Sequence, residues 1–130
     1  MSGYLLDTCV ALWYFAGSDK IPATILPVLR DPGHEIFFSD VSLLEIVIKH
    51  QLGRLPLPEP PSRLLPKWIR LHDFRLVPLT TQSILRLESL PSLHRDPFDR
   101  LLLCQALTHR LTLVTPDPLI RRYDAPVLWN

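Results

Sequence analysis

The sequence predicts an α/β protein, a three-layer α/β/α sandwich around a mainly parallel sheet of about five strands. Three observations predict it. Short apolar runs at 4–6, 35–38, 74–79, 111–115 and 126–129 have the length and composition of buried strands. Longer stretches with apolar residues at helical spacing stand between most of them. Connections of that length suit parallel neighbours, which need a crossover of roughly a dozen residues where an antiparallel pair needs only a tight turn.

The elements follow in order. Tyr4-Leu5-Leu6 is a strand that ends at Asp7, and 8–15 is a helix stopped by Gly17-Ser18. A second helix is expected over 22–30, closed by Asp31-Pro32-Gly33. After the strand at 35–38, Ser39-Asp40 caps a long helix reaching Leu52, with Gly53 as its stop. Four prolines make 55–61 a loop, because proline has no N–H to donate. Helical spacing returns at 63–72, 81–90 and 97–110, and 117–122 gives one further turn. No repeat and no interdomain linker appears, so residues 1–130 read as a single domain.

Composition narrows the function. At 130 residues and 47% apolar content, one core is well supplied. No apolar run approaches the roughly 20 residues that cross a bilayer, and the N-terminus shows no basic segment, apolar stretch or cleavage site. Cys9 and Cys104 are too few and too scattered for a disulfide framework or a zinc site. A cytoplasmic location is the expectation.

The acids carry the chemistry. Asp7 ends the first strand, Glu45 lies in the helix after the second, Asp96 and Asp99 open the helix before the fourth, and Asp117 follows the fourth. In a parallel α/β sheet these places fall along the carboxyl edge, where ligands bind. Clustered carboxylates repel unless a cation joins them, and an all-oxygen set favours Mg²⁺ or Mn²⁺ over zinc. Such ions activate water for attack on phosphorus, which points to phosphodiester chemistry. With these five acids gathered, eight others remain against fourteen Lys and Arg, a basic exterior suited to a polyanion.

Each acid alone has a structural reading. Asp7-Thr8 and Asp117-Pro118 look like helix caps, and Asp96-Pro97-Phe98-Asp99 and Ser42 with Glu45 have capping-box spacing. Glu45 also stands four residues before Lys49, the spacing of a helical ion pair. Caps do not explain a carboxylate inside Leu43-Leu44-Glu45-Ile46-Val47-Ile48, where it would have to be buried.

Leu5-Leu6-Asp7-Thr8, Ser39-Asp40-Val41-Ser42-Leu43-Leu44-Glu45-Ile46 with Lys49, His94-Arg95-Asp96-Pro97-Phe98-Asp99-Arg100-Leu101-Leu102 and Leu113-Val114-Thr115-Pro116-Asp117 together resemble the PIN-domain nucleases. The nearest subgroup is the VapC-like toxins of toxin–antitoxin pairs. The resemblance extends to Leu52-Gly53-Arg54-Leu55 and the closing residues 123–129. It implies a Mg²⁺- or Mn²⁺-dependent endoribonuclease, usually a homodimer, silenced by a cognate antitoxin, that cuts tRNA or messenger RNA in single-stranded loops. Cys9 departs from the histidine common at that place in the subgroup.

Carried over, the family's four acids are Asp7, Glu45, Asp99 and Asp117, and Asp96 matches an additional one. Asp7 and Asp99 would be the main metal ligands, with Glu45 and Asp117 completing the shell. Asp96 would hold a second ion or orient a water, and Thr115 and Ser42 would hydrogen-bond the carboxylates. Arg95 and Arg100 would contact RNA phosphates, or stand as solvated charges at a helix start. His94 is expected at the surface or behind the ligands, not as general base. Trp13, Tyr14 and Phe15 suit the core or a partner interface better than base stacking, and Cys104 suits packing.

Rival classes fit less well. A phosphoacceptor receiver needs an acid where Leu76-Val77-Pro78-Leu79-Thr80 has none, and a haloacid-dehalogenase-type phosphatase needs Asp where Cys9 stands. The alternative that survives is a non-catalytic PIN-like module binding RNA or an antitoxin.

Overall fold

The computed structural model describes residues 3–130. Its strands are β1 (Gly3–Leu6), β2 (Glu35–Ser39), β3 (Arg75–Val77), β4 (Thr112–Val114) and β5 (Val127–Leu128). They form one sheet in the order β3-β2-β1-β4-β5, and every neighbouring pair is parallel. The helices, numbered along the chain, are α1 (Thr8–Ala16), α2 (Leu26–Arg30), α3 (Asp40–Gln51), α4 (Pro61–Leu71), α5 (Thr81–Leu85) and α6 (Pro97–His109).

Strand alternation builds the three layers. Successive side chains of a strand point to opposite faces, and both faces here are apolar. Leu6, Ile36, Phe38 and Val114 pack on one face with Val10, Phe15, Ile46 and Leu65, drawn from α1, α3 and α4. Leu5 and Leu113 pack on the other with Leu102, Leu103 and Ala106 of α6. Trp13, Tyr14 and Phe15 belong to the first layer, where Phe15 stacks on Trp68 with ring centroids 4.9 Å apart. Buried Gln105 of α6 ties the sheet's carboxyl edge together. Its amide nitrogen donates to Val77 O and Pro78 O, and its carbonyl accepts from the Ser39 hydroxyl.

Proline sets most of the departures from the expected boundaries. The helix expected over 22–30 contains only Leu26–Arg30, because Pro27 lacks an N–H and fits only the first turn. The four-proline loop ends earlier than expected: Pro61 is the first residue of α4, where no N–H is needed. The stretch 81–90 divides into α5 and a 3₁₀ turn, Arg86–Ser89, and Leu90 before Pro91 is extended. The turn expected over 117–122 narrows to a 3₁₀ turn at Ile120–Arg122. α6 ends at His109, one residue early, with Arg110 in the left-handed conformation at φ 57°.

The sheet grows from β1 through β2 to β3 on one side, and through β4 to β5 on the other. Strand order therefore reverses between β1 and β4, which opens a crevice beyond their carboxyl ends.

Candidate metal centre

Asp7 is the first residue past β1 and lies in that crevice. Its N–H still bonds Val114 O of β4 at 3.0 Å, and it caps α1. Oδ1 accepts from Thr8 N–H at 2.7 Å, and Oδ2 accepts from the Thr115 hydroxyl at 2.6 Å. The Thr115 oxygen also receives Asp117 N–H at 3.1 Å, so one hydroxyl orders the acids beyond both strands.

Glu45 projects from α3 and is only 5% exposed, so its charge needs partners. Oε1 lies 2.7 Å from the Thr8 hydroxyl and Oε2 2.5 Å from Lys49 Nζ. The Thr8 hydroxyl is also 2.9 Å from Ser42 Oγ. With one proton to give, Thr8 donates to Glu45 and accepts from Ser42. The capping-box reading of Ser42 and Glu45 is thus overturned: the cap of α3 is Ser39, whose hydroxyl takes Val41 N–H at 2.9 Å.

Asp96 does cap its helix. Its Oδ1 accepts from Phe98 N–H at 2.8 Å and Asp99 N–H at 3.2 Å, with Pro97 at the first helical position. The reciprocal half of a box is missing, since Asp96 N–H donates to His94 Nδ1 at 3.1 Å instead. That bond leaves Nε2 as the donor nitrogen of His94. Nε2 stands 2.8 Å from Asp117 Oδ2 and 3.1 Å from Asp99 Oδ2. His94 is therefore not a surface residue; its side chain is 10% exposed and lies between two acids. Tyr123 holds it there, its hydroxyl oxygen accepting from Leu93 N–H and His94 N–H, both at 3.0 Å.

Asp7, Glu45, Asp96, Asp99 and Asp117 all line one cleft of about 640 Å³, together with Thr8, Cys9, Lys49 and Arg54. Crowding there shifts the titrations. Burial, and then the charges of Asp7 and Asp96, push the Asp99 carboxyl up to about 7. Burial also raises Asp7, against the opposing hydrogen bond from Thr115. Burial alone would raise Asp117, but the hydrogen bond from His94 and Leu119 N–H hold it below the ordinary range. The Glu45 carboxylate raises Lys49. Burial, with Asp7 and Asp99 nearby, pushes the Cys9 thiol up to about 12, so in the metal-free protein it is a neutral thiol at neutral pH.

The donor set suits a hard divalent cation. Buried and half-buried carboxylates stand with Lys49 and Arg54 as the only lysine or arginine side chains lining the cleft among the described residues, and Lys49 is already paired to Glu45. His94, Asp99 and Asp117 each offer a ligand atom within 4.8 Å of the other two. Asp99 has the fewest partners of the acids and remains open to a cation.

A model of the PIN domain family matches residues 4–126. The chain belongs to that family. No curated protein matches it in sequence. Among solved structures, this PIN domain is similar to VapBC2 from Rickettsia felis bound to a fragment of its promoter DNA, with a TM-score of 0.73, 16% identity and 97% of each chain covered. It is similar to DNA-bound VapBC from Salmonella typhimurium, with a TM-score of 0.73, 16% identity and 98% of each chain covered. A toxin–antitoxin complex from Klebsiella pneumoniae is also similar, with a TM-score of 0.63 and 18% identity over 97% of this chain and 96% of the other. At such identities the likeness is one of fold.

The PIN domain places two expected residues elsewhere. Arg95 is exposed and outside the cleft lining. The guanidinium of Arg100 turns away from the acids, with Nη2 3.4 Å from Leu90 O and a buried Nε that has no partner. Sequence reasoning missed Thr8 as the link to Glu45, Arg54 as a cation in the cleft lining, and His94 as the bridge between Asp99 and Asp117. For His94 the signal was its place two residues before a capping Asp, in the His94-Arg95-Asp96-Pro97-Phe98-Asp99 motif.

Proposed function

We propose that this PIN domain is a Mg²⁺- or Mn²⁺-dependent endoribonuclease and the toxin of a toxin–antitoxin pair. One observation carries the reading: five acids from four separate segments share a cleft where strand order reverses. Asp7, Asp99, Glu45 and Asp117 would hold the ion, with His94 beside the last two. When bound there, such an ion supplies charge neutralisation at the phosphate and a water activated for in-line attack.

The chain's own groups prepare that place. Thr115 fixes the Asp7 carboxylate, and Thr8 with Ser42 fixes Glu45. His94 donates its Nε2 proton to Asp117 and stands 3.1 Å from Asp99. Asp99, raised to about 7 by burial and by Asp7 and Asp96, is partly protonated near neutrality and would give up that proton to an entering cation. Asp96 spends one oxygen on its cap and keeps the other for a water or a second ion.

The toxin reading draws support from the VapBC neighbours and from a separate apolar groove. Leu43, Val47, Leu65, Ile69 and Leu76 line that groove of about 710 Å³, which contains no acid. Its chemistry suits a protein such as a cognate antitoxin better than a metal or RNA. Exposed Ile84 and Leu85 on α5 support a homodimer contact. No helix among the described residues is long and apolar enough to cross a membrane, and a cytoplasmic place remains part of the proposal.

The test incubates purified protein with labelled RNA in EDTA, Mg²⁺ or Mn²⁺. Cleavage is expected only with a metal and is lost in Asp99→Asn. Binding without turnover in every metal would leave the non-catalytic module. Growth arrest on expression, relieved by the small protein encoded next to it, would establish the toxin role.

A further inference from the structure

We infer that Lys49 and Arg54 form a phosphate-binding site at the mouth of the carboxylate cleft, for the backbone of a single-stranded RNA. The two are brought together by how α3 ends. Gly53 takes the left-handed conformation at φ 72°, which a side chain rarely adopts. Its N–H bonds His50 O at 3.0 Å, and Arg54 N–H bonds Lys49 O at 2.9 Å. This is the hydrogen-bond pattern of a Schellman ending, and it folds the residue after the glycine back over the last turn. The pair at those two positions is commonly apolar; here both are cations. The turn is fixed again where Leu55 O lies 3.0 Å from His50 Nδ1.

Donor capacity decides what the pair can do. Lys49 has three N–H donors and gives one to Glu45, and its side chain is 48% exposed. Two donors remain. Arg54 has five, is exposed, and enters no ion pair or side-chain hydrogen bond among the described residues. Both line the cleft that holds the five acids. A phosphate oxygen accepts charge-assisted bonds from both groups, and arginine can bind it through two parallel bonds. Neutralising Glu45 requires Lys49 alone, which leaves Arg54 without a structural duty. Because the pair shares one cleft with Asp99 and Asp117, a phosphate held there would belong to a strand that continues past the acids. Arg95 and Arg100 do not line the cleft.

This inference takes its substrate from the nuclease reading, and the experiment separates the two. Binding of a fluorescein-labelled, mixed-sequence single-stranded RNA is followed by anisotropy across a salt series. The full chain carries Asp99→Asn so that nothing is cut. Adding Arg54→Gln should weaken binding several-fold and reduce the log–log salt slope by about 0.7, one phosphate contact on a single strand. Arg54→Lys should restore most of that slope. In the otherwise native chain, Arg54→Gln should raise KM and leave kcat unchanged. Unchanged affinity and slope in Arg54→Gln, or no RNA binding by the parent, overturns the site. An otherwise native chain that binds RNA but never cuts it in Mg²⁺ or Mn²⁺ overturns the nuclease reading, while the slope still judges Arg54.

Discussion

The Thr115 hydroxyl lies 2.6 Å from Asp7 Oδ2, joining residues 108 apart in sequence across the reversal of strand order. It is fully buried and serves Asp117 N–H as well. Thr115→Val keeps the shape and removes both bonds. The expected result is a loss of about 1–3 kcal/mol in urea unfolding, the cost of leaving buried polar groups unpaired. Metal affinity should fall with it, and Thr115→Ser should recover most of both. Unaltered stability and metal binding in Thr115→Val would mean that Asp7 does not depend on this bond.

The Asp99 shift sets a pH dependence opposite to ordinary acid unfolding. Its folded value of about 7 lies above the ordinary 3.8, so between these pH values the native state holds a proton that the unfolded chain has released. Stability from this group is full below the unfolded value and is lost as pH rises through the folded one. Metal-free protein should therefore lose up to about 1.4 kcal/mol per pH unit over that window from this group alone. Asp7, also raised, acts in the same direction, while Asp117, lowered, acts only at more acid pH. Urea titrations in EDTA at pH 5 and pH 8 check the sign. Saturating Mg²⁺ should flatten or reverse the trend, because the cation replaces the proton.

Asp99→Asn removes one charge from a repulsive group. The metal-free variant should melt no lower than the parent, and its cleavage should vanish. Millimolar Mg²⁺ should raise the parent's melting temperature by mass action and move the variant's much less. A steep fall in the variant's stability would assign Asp99 a structural duty in its helix.

These consequences divide by how local their causes are. Asp7 could be read from the sequence because a strand ends where its apolar run ends, and Glu45 because a carboxylate inside an apolar helix needs a reason. Asp96 was legible as a cap because Pro97 marks the helix start. Arg100 stands outside the cleft lining because a helix turns about 100° per residue, which sets the neighbour of Asp99 on another side of α6. Arg54 depended on Gly53 adopting a left-handed turn, and α2 on which of two prolines would begin the helix. For His94 the sequence offered only its place before the capping Asp96; its loop has no regular periodicity and its anchor, Tyr123, comes 29 residues later.

That anchor supports a last prediction. The Tyr123 hydroxyl oxygen accepts two backbone N–H groups, and these fix the segment that carries His94 between Asp99 and Asp117. The ring itself packs in the α6 layer and is 7% exposed. Tyr123→Phe keeps the ring and removes the acceptor. A cost of about 1 kcal/mol for each lost bond is expected in unfolding. The clearer sign is local: the amides of Leu93 and His94 should exchange with solvent faster, while those of the central strands stay protected. Released from its place, His94 should restrain the two acids less, and metal affinity should drop. Equal exchange at Leu93 and His94 in both proteins would show that the loop is held by other contacts and that Tyr123 serves packing alone.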